Sequence, residues 1–182
     1  MTRKRNKSKR NTSAVALGGI LAAIGVTSMY LGSFIEVLDL TVAVVASLFC
    51  IIAVIEIDKR WAVGIYAATA LLSVLLLPNK FPAAVYLLFA GYYPIVKEII
   101  EGRIRSRIVA FVIKLAIFNL AFAAIVAVSI FVLKLPIEGG YIAVALAALG
   151  NVTFVIYDIA LTRLISVYIV MLRPRLTFLK KK

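Results

Sequence analysis

Apolar residues run along this chain in unbroken stretches instead of alternating with polar ones. Six stretches stand out, from Ala14 to Gly32, Leu40 to Ile57, Trp61 to Leu77, Pro82 to Val96, Ile108 to Leu133 and Tyr141 to Ile165. A helix needs about 20 largely apolar residues to cross a hydrocarbon core of about 30 Å, so each stretch predicts a transmembrane helix. An outer-membrane barrel would instead show short segments of period two. The separators are charged or helix-breaking: Glu36 to Asp39, Asp58-Lys59-Arg60, Pro78-Asn79-Lys80, and Pro136 to Gly140. The fourth stretch is the shortest and contains Gly91 and Pro94, which predicts a kink. The last two exceed one bilayer thickness and are expected to tilt or project. The fold class is therefore all-α, a polytopic membrane bundle of six helices.

Charge sets the orientation. The chain is 64% apolar and 16% charged, against about 45–50% and about 25% in a soluble domain. Of its 21 Lys and Arg, six lie in the N-terminal tail, two at Lys59 and Arg60, four at Lys97, Arg103, Arg105 and Arg107, and five in the C-terminal tail. The alternate loops hold only Lys80 and Lys134, while Lys114 and Arg163 lie inside spans. Cytoplasmic loops are rich in Lys and Arg, so both termini are expected in the cytoplasm of a multi-pass protein of the cell (inner or plasma) membrane. The domain reading is a basic tail over 1–13, a transmembrane domain over 14–171 and a second basic tail over 172–182. Both tails are expected to lie disordered against anionic headgroups. The first apolar run outlasts the core of a secretory signal and is followed by five more, so it reads as a retained span.

Much chemistry is excluded by composition. With no His and a single Cys, Cys50, the chain cannot build a His/Cys zinc site, a disulfide or a Ser-His-Asp triad. It has neither a phosphate-binding G-x-x-x-x-G-K-[ST] loop nor an acidic metal cluster. No enzyme activity and no cofactor are expected. The basic residues flank hydrophobic spans instead of forming a solvated face, so nucleic acid is not the expected partner.

Polar groups in a span are the first functional candidates, because hydrocarbon does not solvate them. Asn119 and Asn151 both fall near the midplane; they are placed either to hydrogen-bond each other or to floor a solute pocket. Glu56, Asp58, Lys114, Asp158 and Arg163 gather toward the cytoplasmic face, with Asp158 to Lys114 or Arg163, and Glu56 to Lys114, as candidate pairs. They read as a salt-bridge lock or as a gate. Tyr30, Glu36 and Tyr86 fall on the outer side, the tyrosines as interfacial belt residues or as the lining of a ligand mouth, and with the two asparagines they are the candidate substrate-binding residues by depth. In the first span Ala14, Gly18 and Ala22 form a stripe nearly bare of side chains, suited to close helix approach within the bundle or to docking of a partner.

Six spans in a short chain, both ends cytoplasmic, the stripe Ala14-x3-Gly18-x3-Ala22 and a polar last helix opening near Gly150-Asn151 resemble the substrate-binding S component of an energy-coupling factor (ECF) transporter. The resemblance implies uptake of a small, vitamin-type solute. It also implies a transmembrane coupling subunit docked on Ala14, Gly18 and Ala22, with partner ATPases driving transport. The competing expectation is a non-transporting membrane scaffold with an MreD-like role, in which buried polar groups only set helix register.

Overall fold

The computed structural model describes residues 2–134 and 140–172, and among these every regular element is helical. The helices are α1 (Thr2–Gly32), α2 (Asp39–Glu56), α3 (Lys59–Leu76), α4 (Phe81–Val85), α5 (Tyr93–Arg103), α6 (Arg107–Phe131) and α7 (Tyr141–Val167). A 3-10 turn, Glu36–Leu38, precedes α2, and π turns occupy Tyr86–Ala90 and Tyr168–Leu172. Among the described residues six helical stretches are long and apolar enough to cross a membrane: Thr12–Gly32, Asp39–Glu56, Lys59–Leu76, Phe81–Arg103, Arg107–Phe131 and Ala143–Met171. That is the make-up of a multi-pass membrane protein.

Two boundaries differ from the sequence reading. The basic segment before Ala14, expected to be disordered, is instead the opening of α1, which starts at Thr2. Lys and Arg are good helix formers, and neither Gly nor Pro occurs before Gly18, so the helix of the apolar span propagates outward. The other basic tail lies, from residue 173 on, outside the described residues. The fourth span does not end at Val96; it continues as α5 to Arg103.

Packing divides the chain into two units, Met1–Arg103 and Ile104–Lys182. In the first, α1 and α3 run parallel. A Cβ on Gly18 would lie 3.1 Å from Ile65, one on Gly25 would lie 3.4 Å from Thr69, and Ser73 Oγ lies 3.5 Å from Met29 Sδ. Helix α2 is antiparallel to both, with Gly32 against Val42 at one end and Cys50 Sγ directed at the Ala62 carbonyl at the other. The contact residues are small: Ala43, Ala46, Ser47, Ala53, Ala62, Ala70 and Ser73 are all buried. Lipid is as apolar as a leucine side chain, so helices in a membrane gain by packing backbones closely, which small residues permit.

The second unit is an antiparallel pair. Lys114 meets Asp158, Phe118 stacks on Phe154 with ring centroids 4.7 Å apart, Asn119 meets Asn151, and Gly150 faces Phe122. Residues 147, 151, 154, 158, 161 and 165 of α7 recur at alternating spacings of about four and three, the seam of a coiled coil. Most residues of both helices are exposed or half-buried.

Candidate functional site

The fourth span is where the backbone departs most from a plain helix. Pro82 sits in the first turn of α4, where its missing N–H is no loss. After Val85 the helix widens, and the Gly91 N–H donates to the Tyr86 carbonyl, five residues back, at 2.8 Å. The cause is legible downstream. Pro94 has no N–H, and its ring crowds the carbonyl four residues earlier. The widening displaces the Leu87 carbonyl, and the Tyr66 hydroxyl of α3 donates to it at 2.7 Å. A Cβ on Gly91 would come within 2.6 Å of Tyr66 and 2.7 Å of Tyr86, so this turn admits only glycine without repacking.

Aromatic rings line the break. Tyr66 lies against Tyr86 and Tyr92, with centroids 6.0 and 6.1 Å apart, and Phe89 lies 4.9 Å from Tyr93. One turn further on, Lys97 is 1% exposed. Its ammonium pairs at 2.8 Å with Glu101, and the neighbouring Glu98, more exposed, pairs at 2.7 Å with Lys59 of α3. A buried lysine and a broken helix are each expensive in a membrane. Here they share one span, most of whose residues are buried.

Sequence reading missed Lys97 because it ended the span at Val96 and counted the lysine as a loop charge. The available signal was the Lys97–Glu101 spacing of i, i+4, with Ile99 and Ile100 carrying the apolar pattern onward.

Of the substrate-binding candidates, Tyr86 is buried in this cluster. Tyr30 is elsewhere, near the end of α1, edge-on to Phe34 at 5.4 Å. Glu36 stands in the 3-10 turn, and its side chain lies outside the described residues. Asn119 and Asn151 belong to the second unit and hydrogen-bond reciprocally at 2.9 and 3.2 Å. Each amide gives its remaining N–H to a carbonyl four residues back, Leu115 and Ala147 respectively, at 2.9 Å. All four donors are thus used within the pair, which makes it a clasp between α6 and α7. A solute would find only carbonyl lone pairs there.

The charged candidates also separate. Lys114 and Asp158 form a buried ion pair at 2.6 Å, while Arg163 is exposed further along α7. In the first unit, Glu56 ends α2, and Asp58 caps α3 by accepting from the Lys59 N–H at 2.8 Å. The stripe expected to dock a partner, Ala14, Gly18 and Ala22, is buried, and Gly18 is filled by Ile65. Gly18 serves the close approach of α1 to α3, and Ala22 lies in the buried cluster with Cys50, Ala53 and Ala62. One residue on, about 100° around α1, a Cβ added at Gly19 would meet nothing within 4 Å among the described residues.

A third polar centre links α2 to the turn before α4. Asn79 Nδ2 donates to Asp39 Oδ2 at 2.6 Å, its Oδ1 accepts from the Phe81 N–H, and Lys80 Nζ donates to the Leu77 carbonyl at 2.6 Å. The first bond ties this turn to α2, and the other two stay within the turn. Among the described residues no group of three or more His, Cys, Asp or Glu is placed to hold a metal ion. Comparison with protein families, with curated proteins and with solved structures finds no match to this chain.

Proposed function

We propose that the chain is the solute-binding membrane subunit of a small-solute uptake transporter, energised by partner ATPase and coupling subunits. The reading places both termini in the cytoplasm, as the loop charges indicate. The observation that carries it is the fourth span, which combines a π turn, two prolines, an aromatic wall and a buried lysine. Transporters place irregular backbone and intramembrane charge where a solute binds or a helix moves. A plain lipid-facing helix needs neither. On this reading the coupling subunit meets an outward face of the first unit, because Ala14, Gly18 and Ala22 are already buried within it.

One observation favours the scaffold alternative. The polar rungs of the second unit close on themselves, as expected of groups that only set helix register.

Native mass spectrometry of protein purified gently from its own membranes separates the two. A transporter subunit co-purifies with a small organic molecule or an ATPase-bearing coupling complex. Recovery with cell-envelope proteins alone, free of any ligand, would establish the scaffold and end the transport reading.

A further inference from the structure

The turn Tyr86–Ala90 contains one residue more than an α-helical turn would, and every side chain beyond it is displaced accordingly. If that turn closed to α geometry, each later residue would advance by about 1.5 Å and about 100° into the place now held by its successor. Val96 would enter the buried place of Lys97. Lys97 would take the exposed place of Glu98, and Ile100, 7% exposed, would take that of Glu101, whose side chain is 44% exposed.

The α register therefore removes two costs at once, the widened turn and the buried ammonium, and it fills the vacated place with valine. Besides the Pro94 ring, which crowds the Ala90 carbonyl in an α ladder, and the Ala90 methyl, which would enter the place of Gly91 against Tyr66 and Tyr86, two contacts oppose it. The Tyr66 hydroxyl holds the Leu87 carbonyl at 2.7 Å, a bond between residues 21 apart in sequence to a carbonyl that the π turn leaves out of the helical ladder. Lys59, now paired with Glu98 at 2.7 Å, would face Lys97 instead. Attraction would become repulsion between like charges.

We propose that the fourth span is a two-register helix, with the Tyr66 hydroxyl as its latch and the Lys59–Glu98 pair as its electrostatic stop. Releasing the latch rotates α5 and carries Lys97 from its buried place to the surface. The inference goes beyond solute binding and stands on the helix geometry alone.

Thiol protection reads the rotation directly. In full-length protein carrying Cys50→Ala, single thiols are introduced by Ile99→Cys or Ile100→Cys, and their maleimide labelling rates are measured in detergent with and without Tyr66→Phe. Position 99 is half-buried and position 100 is buried. The register change moves them in opposite directions: labelling at 100 rises, by roughly tenfold for a latch of one hydrogen bond, and labelling at 99 falls. Deleting Leu88 removes the spare residue, leaves α5 in its present places and abolishes the effect of Tyr66→Phe. Unchanged rates, a parallel rise at both positions, or an effect that survives the deletion would each overturn the proposal.

Discussion

The two units face the same solvent problem and solve it differently. The first is held by small residues that let α1, α2 and α3 approach closely, with Ala43, Ala53 and Ala62 fully buried. Its ionic contacts, Lys59–Glu98 and Lys97–Glu101, lie toward the end where α3 begins and α5 finishes. The second unit places bulky rings along its seam and puts its polar contacts, Lys114–Asp158 and Asn119–Asn151, between the helices. Close packing rewards many contacts weakly and tolerates no added volume. Polar rungs reward a few contacts strongly and tolerate no wrong partner.

The largest expected effect follows from breaking a rung. Asp158→Leu leaves the Lys114 ammonium buried without its carboxylate and should lower stability by about 3–5 kcal/mol, whereas Lys114→Met combined with Asp158→Leu should recover most of it. Thermal unfolding in detergent checks this, and equal losses in single and double variants would deny the pair its role. The corresponding break in the first unit is one of volume. Gly91→Ala, forced against Tyr66 and Tyr86, should cost about 1–3 kcal/mol. Gly64→Ala on α3, with nothing within 4 Å, serves as its neutral control.

A third change should act with the opposite sign. Ser129 in α6 is buried, and its hydroxyl has no hydrogen-bond partner among the described residues. Ser129→Ala should raise stability by about 1 kcal/mol, read as a higher unfolding midpoint; a loss would mean that the hydroxyl is bonded. The smallest effect belongs to the amide clasp. Asn119→Leu should cost about 0.6 kcal/mol, the average for hydrogen bonds between membrane helices. A larger loss confined to Asn119 and Asn151, with ligand binding abolished, would return the asparagines to a solute site.

Much of the architecture was legible before any coordinates. Runs of apolar residues locate membrane-crossing helices because hydrocarbon demands length and apolarity of each span separately. Candidate partners in the second unit were legible for the same reason, since a charge or amide at mid-span needs a nearby complement. The fourth span was not legible in full. Its end at Arg103 lies among charged residues that read as a loop, and a lysine is hidden there by neighbours from α2 and α3 that are distant in sequence. The first helix misled differently: its bare stripe suits a partner subunit and α3 equally well.

By itself the sequence determined the helical class, the six spans and the asymmetry of charge between their ends, because each depends on local composition. Tertiary structure alone decided which small-residue face is covered, that Lys114 chooses Asp158, that the two amides close on each other, and that a π turn places Lys97 inside. Those outcomes depend on which helix lies alongside which and in what register. A displacement of one residue, about 100° around a helix, exchanges a buried side chain for an exposed one.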